Sequence, residues 1–185
     1  AVIGGKEVFA SNREMFVTRD PGTGDVLAEV ANMQPDDVDH AVQTAAKAFR
    51  ETPWANLTAQ ERGAILHRWV DLVETKKRTI AQIESLDCGK IYRQAEGDVQ
   101  NFIDTMRYFI EMSLHIERRS VLAVPHYEAY TYRAPWGPCG FIFPWNFPIL
   151  LVGWGIAPAL AAGNTVVIKP AEDTPLSTLY VAHLA

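Results

Sequence analysis

Asn146 stands between two prolines in Pro144-Trp145-Asn146-Phe147-Pro148, and Lys169 and Glu172 bracket Pro170-Ala171 further on. These are the residue types and spacings in the chain best suited to chemistry. A neutral side-chain amide on a backbone fixed by flanking prolines could donate to a developing oxyanion without reorganising. It could equally be a turn asparagine that satisfies nearby backbone, and the residues alone leave the two readings even. A lysine and a carboxylate at this spacing can hydrogen-bond the vicinal hydroxyls of a ribose. The carboxylate would repel a phosphate on the same sugar, which favours NAD over NADP. Read more plainly, the pair is a solvated ion pair closing a strand. Cys139, in Pro138-Cys139-Gly140 with no base beside it, reads as a small buried thiol rather than a nucleophile, and Cys88 reads the same way. Gly153-Trp154-Gly155 falls inside a helical stretch, so the Gly-x-Gly-x-x-Gly pyrophosphate fingerprint is absent.

The elements that must position these residues lie in a stretch without charge, Ala134 to Ile168. Hydropathy alone would make it a membrane span, which needs about 20 continuous apolar residues. Pro135, Pro138, Pro144, Pro148 and Pro158 argue against that reading. The run divides by period instead. Gly140 to Phe143 reads as a short apolar strand, and Pro148 to Ala162 as a buried helix with Pro148 tolerated in its first turn. Gly163-Asn164 is a helix stop, and Thr165 to Ile168 is a second strand rich in β-branched residues. Continuous apolar strands joined by a helix predict a parallel pair covered on both faces. A crossover of that kind puts both strand C-termini on one edge, where open α/β sheets bind ligands. The Asn146 and Lys169–Glu172 motifs therefore converge. Trp145 and Phe147 could line a pocket there or plug the core, and core is the default for aromatic side chains.

Upstream, the first thirty residues read as extended, with Asp20-Pro21-Gly22-Thr23-Gly24 as a turn between strands. Val38, Val42, Ala45 and Phe49 share one helical face behind Pro35 and two aspartates. Thr58-Ala59-Gln60-Glu61 is a capping box for a helix with an apolar face of Ile65, Leu66, Trp69, Leu72 and Val73. A further helix ends at Gly89, and a long one carries Val99, Phe102, Met106, Phe109 and Ile110. Such stripes read as packing. Tyr127 to Arg133 alternates aromatic and polar residues and predicts an exposed antiparallel ribbon. Thr174-Pro175 predicts an N-cap and first helical position for a last helix through Leu176, Leu179, Tyr180 and Leu184. That helix stops on an apolar face without a C-cap, which predicts a truncated chain.

With 185 residues the chain can bury roughly 70% of its unfolded surface, enough for a real core. An apolar content of 48% argues against disorder. A net charge of −5, with no basic cluster beyond Lys76-Lys77-Arg78 and Arg118-Arg119, gives no footprint for nucleic acid. Two cysteines and no signal peptide point to a reducing compartment, hence the cytoplasm, and neither cysteines nor histidines show metal-ligand spacing.

Phe141 to Pro148, Pro158 to Asn164, and Ile168 to Glu172 with Thr174-Pro175-Leu176 together resemble the aldehyde dehydrogenase superfamily. Ala41 to Phe49, Trp54, Arg62 and Glu84 to Lys90 resemble its N-terminal helices, so the likeness covers nearly the whole chain. The resemblance implies an α/β fold: a Rossmann-like, doubly wound parallel sheet with N-terminal helices and an inserted antiparallel β-ribbon. Residues 1–116 would be the mostly helical N-terminal part of the cofactor domain and 117–135 the ribbon of an oligomerisation domain. Residues 136–185 would be the first βαβ of the cofactor sheet, truncated, with the catalytic domain absent.

By the same resemblance Asn146 holds the thiohemiacetal oxyanion, and Lys169 and Glu172 bind the adenosine ribose of NAD. Ile142, Phe143, Pro144 and Trp145 line the nicotinamide side of the cleft, and Phe147 and Trp154 line an aldehyde tunnel. The implied reaction is NAD-dependent oxidation of an aldehyde to a carboxylic acid through a cysteine thioester, in a homodimer or homotetramer. A CoA-acylating relative and a non-catalytic structural relative stay open. Nothing here matches the family's nucleophilic cysteine or its general-base glutamate, so the chain alone is expected to be inert. Gly155 replaces a lysine common in the family, so no proton relay is assigned there.

Overall fold

The computed structural model describes all 185 residues. Two antiparallel pairs open the chain: β1 (Val2–Ile3) with β2 (Lys6–Glu7), and β3 (Met15–Arg19) with β4 (Val26–Ala31). The expected turn joins the second pair, where Asp20 Oδ1 accepts the Gly22 N–H at 2.7 Å.

Helix α1 (Pro35–Glu51) starts where Asp37 reaches back to accept the Gln34 N–H at 2.8 Å. Its expected face is only half covered, since Val38 and Val42 are exposed while Ala45 and Ala46 are buried. The cause is that α1 packs on the later strands through its C-terminal half, where the Thr165 hydroxyl donates to the Ala45 carbonyl at 3.0 Å. After a 3₁₀ turn (Pro53–Asn56), helix α2 (Ala59–Thr75) opens on the expected capping box. Glu61 accepts the Thr58 N–H at 2.8 Å, and Thr58 Oγ1 accepts the Glu61 N–H at 3.2 Å. The buried stripe of α2 differs from expectation: it runs Arg62, Leu66, Val70 and Val73, leaving Ile65 and Leu72 exposed. A charged residue on the inner face rotates the stripe, because Arg62 has a specific task in the interior.

Helix α3 (Lys77–Cys88) ends at Gly89, which takes the left-handed conformation (φ +69°) against Pro21. Helix α4 (Tyr92–His115) buries Val99, Phe102, Met106 and Ile110, as its periodicity predicts, with Phe109 half-buried. Strands β5 (Arg119–Val124) and β6 (Tyr127–Tyr132) then form the exposed antiparallel ribbon.

The charge-free stretch folds as β7 (Pro138–Ile142), α5 (Pro148–Ala161) and β8 (Thr165–Lys169), with β7 and β8 parallel. The parallel pair is two strands wide. Helices α1 and α5 both pack against β8, whose residues Thr165–Ile168 are half-buried throughout, so the expected cover on both faces is met at β8 and is incomplete at β7. Positions in β7 alternate between exposed and half-buried, and Ile142 is 82% exposed. Helix α5 covers the side of Phe141 and Phe143, whose rings stack at 5.7 Å. Both glycines of Gly153-Trp154-Gly155 are contact points of this helix. A Cβ on Gly153 would lie 2.9 Å from the Phe102 ring, and one on Gly155 would lie 2.6 Å from Phe143 Cζ. Gly155 is thus where α5 meets the sheet, and any larger side chain there would displace Phe143.

Helix α6 (Leu176–His183) is capped differently from expectation. The Thr174 hydroxyl donates to the Trp145 carbonyl at 3.4 Å, and Asp87 of α3 accepts the Leu176 N–H at 2.8 Å. Packing of α3 beside α6 brings a carboxylate to the positive end of the helix, which supplants the local cap. The main core spans α2 to α6, with Phe102, Ile103, Ile149 and Ile156 among its fully buried members. No helix is long and apolar enough to cross a membrane.

Candidate active site

The loops after β7 and β8 meet. Ile142 and Lys169 are register partners, the Phe143 N–H donates to the Lys169 carbonyl at 3.1 Å, and Thr174 holds Trp145 from the other loop. The two motifs singled out in the sequence therefore share the C-terminal edge of the parallel pair.

On this edge Ile142, Pro144, Trp145 and Asn146 are exposed. The side-chain amide of Asn146 makes no hydrogen bond within the chain, whereas its backbone carbonyl accepts from Lys90 Nζ at 3.3 Å. Asn146 is therefore not a turn residue bonded to nearby backbone through its amide. Lys169 Nζ lies 2.7 Å from Glu172 Oε2, and both side chains are exposed. The hydrogen bond from Lys169 holds the Glu172 carboxyl below its ordinary range. Phe143 differs from its neighbours, since its side chain is buried against α5 and belongs to the core.

The cleft that Trp154 lines does not include Phe147. Phe147 is half-buried with the Lys90 ammonium 4.8 Å from its ring centre. Trp154 lines an open cleft of about 480 Å³ with Asp104, Thr105, Tyr108 and Phe109, and its indole N–H donates to Asn101 Oδ1 at 2.9 Å.

Beneath the edge lies a buried ionic cluster. Lys90 Nζ is 3.1 Å from Glu84 Oε1 and 2.8 Å from Asp98 Oδ2, with all three side chains less than a tenth exposed. Burial alone would lower the Lys90 pKa, but the bond to Asp98 and the Glu84 charge outweigh it and hold it above the ordinary value. Glu84 Oε1 also accepts the Ile149 N–H in the first turn of α5, at 3.4 Å. The Cys88 thiol donates to the Trp145 carbonyl at 3.2 Å, and burial, with the Glu84 charge, pushes its pKa up to about 12. A thiol so placed is no nucleophile near neutral pH. Cys139 is also unpaired. No group of His, Cys, Asp and Glu has the arrangement of a metal site.

Sequence reasoning gave Glu84, Lys90 and Asp98 no role. The available signal was carboxylates lying on buried helical stripes, Glu84 one turn after Ile80 and Asp98 beside Val99. Arg62 carried the same kind of signal. Its Nε and Nη2 donate to the Ala161 carbonyl at 3.1 and 3.0 Å, closing the far end of α5.

The sequence pattern of the Aldehyde dehydrogenase family matches residues 8–185. The chain is 39% identical over 184 residues to aldehyde dehydrogenase family 2 member B4, mitochondrial, from Arabidopsis thaliana, covering 99% of this chain and 34% of that protein. It is 41% identical to a mitochondrial benzaldehyde dehydrogenase from Antirrhinum majus, over the same shares of each chain. Among solved structures, the NAD+ complex of aldehyde dehydrogenase from Bacillus cereus superposes with a TM-score of 0.94 at 40% identity, covering 99% of this chain and 38% of that one. The chain thus spans about a third of the length of the curated relatives it matches. It belongs to the aldehyde dehydrogenase family.

Proposed function

We propose that this chain is the N-terminal portion of an NAD-dependent aldehyde dehydrogenase that oxidises an aldehyde to a carboxylic acid. Residues 1–116 and 136–185 serve the cofactor domain, and residues 117–135 belong to an oligomerisation ribbon. The carrying observation is the shared sheet edge, where an unpaired amide and a Lys–Glu pair follow the two parallel strands. The chemistry of that edge suits NAD: a cation and a carboxylate are complementary to ribose hydroxyls, and the exposed Ile142, Pro144 and Trp145 offer an apolar rim for a planar ring. Glu172 and Lys169 would hold the ribose, and the bound cofactor would accept the hydride. In this reading a cysteine thiolate outside this chain adds to the aldehyde carbon, and Asn146 donates to the oxygen that becomes negative. Loss of hydride leaves a thioester, which water cleaves to the acid and the free thiol.

The exposed Val121, Tyr127, Tyr130 and Tyr132 on the ribbon suit assembly into a homodimer or homotetramer. Two unpaired cysteines suit a reducing compartment such as the cytoplasm.

The intact protein is expected to reduce NAD with an aldehyde and release the free acid. Asn146→Ala should lower turnover about 10²- to 10³-fold while leaving NAD affinity and melting temperature nearly unchanged. Turnover within a few-fold of the parent, with a clear loss of thermal stability, would make Asn146 a structural residue. An acyl-CoA product would mark the acylating relative, and no oxidation of any aldehyde would mark the non-catalytic one.

A further inference from the structure

We propose that Lys90 is a positioning residue that aims the Asn146 amide by fixing the backbone on which it is carried, a role that rests on Asn146 being the oxyanion donor. An ammonium has three N–H groups and no acceptor. Lys90 has three oxygens within reach: Glu84 Oε1 at 3.1 Å, Asp98 Oδ2 at 2.8 Å and the Asn146 carbonyl at 3.3 Å. Two of these partners hold the ammonium in place, and the third is the residue it holds. The ammonium also lies 4.8 Å from the centre of the Phe147 ring, so it touches consecutive residues of the loop.

The neighbouring contacts point the same way. Glu84 Oε1 accepts both the Lys90 ammonium and the Ile149 N–H, tying the cluster to the start of α5. The Trp145 carbonyl accepts from the Cys88 thiol and the Thr174 hydroxyl. Main-chain groups of Trp145, Asn146 and Ile149 are thus each held by side chains from other segments. The exposed Asn146 side-chain amide, by contrast, has no intrachain partner. A fixed backbone under a free amide lowers the reorganisation needed when charge develops, since only the side chain has to turn. Stability by itself does not call for this arrangement. A buried ion cluster carries a large desolvation cost, and apolar replacements are often as stable.

The proposal is tested in the intact protein with Lys90→Gln, and with the triple variant Glu84→Gln, Lys90→Met, Asp98→Asn, which leaves no stranded buried charge. Either should lower kcat by roughly tenfold to a hundredfold, the size expected when a catalytic group is misplaced by about 1 Å. KM for NAD should stay within about twofold. The deciding measurement repeats both variants in an Asn146→Ala background, where the loss of kcat should vanish because the group being aimed is gone. An equal loss in both backgrounds would make the cluster merely structural and overturn the proposal. An unchanged kcat, with Asn146→Ala still crippled, would overturn it too while leaving the role of Asn146 intact. A harmless Asn146→Ala would remove the reading beneath it.

Discussion

The two ends of α5 are both held by residues distant in sequence, yet they are built differently. At the C-terminal end, Arg62 donates twice to the Ala161 carbonyl and once, at 2.7 Å, to the Leu57 carbonyl. Asn164 accepts the N–H groups of Trp136 and Gly137 and donates to the Ala159 carbonyl, while its own carbonyl accepts the Trp54 indole N–H. Every polar group of that side chain has a partner. At the N-terminal end the backbone is also held, by longer contacts of 3.2–3.4 Å, but the Asn146 amide is free and Trp145 is exposed. Four of the five buried polar side-chain atoms lacking a protein partner are Glu84 Oε2, Asp87 Oδ1, Ser177 Oγ and Thr178 Oγ1, all on α3 and α6. One end of the helix is saturated, whereas the elements around the other keep unspent hydrogen-bonding capacity. Saturation marks a joint; at the other end the group a ligand could reach is the exposed Asn146 amide, whereas the four unpartnered atoms on α3 and α6 are buried.

The largest effect should come from breaking the joint. Arg62→Ala removes three charge-assisted hydrogen bonds and strands the Ala161 carbonyl at the end of α5 and the Leu57 carbonyl ahead of α2. A loss of about 3–5 kcal/mol is expected in denaturant unfolding of the intact protein. At a temperature where the variant stays folded, kcat should be near that of the parent. A variant of normal stability with depressed kcat would erase the distinction between the two ends.

The same contrast explains what could be read in advance. Strands β7 and β8, helix α5 and their parallel order were legible because apolar runs with proline and glycine punctuation leave few alternatives. Convergence of Asn146 with Lys169 and Glu172 followed from topology. What failed was whatever depends on partners far away in sequence. Thr174 looked like a cap because its neighbours are local, but Asp87 takes the Leu176 N–H across the α3–α6 contact. Arg62, Glu84 and Asp98 count as polar in a periodicity argument and so shift the apparent apolar stripe, although the fold buries them as caps and counter-ions. The placement of the Phe143 side chain in the core was likewise hidden, because it depends on the absence of a side chain at Gly155, which lets α5 close over it.

A smaller effect, with a distinct pH signature, belongs to Asp87. Burial raises its pKa from 3.8 to about 6, against the opposing bond from Leu176 and with help from the Glu84 charge. The folded state therefore binds this proton more tightly than the unfolded chain. The stabilising contribution is present in full below about pH 4 and is lost as pH rises through 6. A shift of this size is worth on the order of 3 kcal/mol. Asp87→Asn keeps an acceptor for the Leu176 N–H and cannot ionise. Relative to this variant, the parent should lose stability progressively between pH 4 and 6 and remain at a constant deficit above. Parallel melting curves across that range would mean that Asp87 is solvated in solution.

The smallest effect tests the exposed side of the edge. The Lys169 bond holds the Glu172 carboxyl below its ordinary value, so near neutral pH it would face a 2′-phosphate as a full negative charge. Its exposure means that water and salt weaken the repulsion, unlike the forces in the buried cluster beneath. In the intact protein, Glu172→Ser should narrow the ratio of kcat/KM for NAD over NADP by roughly fivefold in dilute buffer. The change should shrink as salt is added, because the interaction lies within a screened layer. Turnover at saturating NAD should hardly move, since the carboxylate acts on the sugar and not on the reacting carbon. An unchanged ratio at every salt concentration would place Glu172 outside the ribose site. The Lys169–Glu172 pair would then be an ordinary solvated ion pair at a strand end, and the ligand-binding edge would shrink to the loop around Asn146.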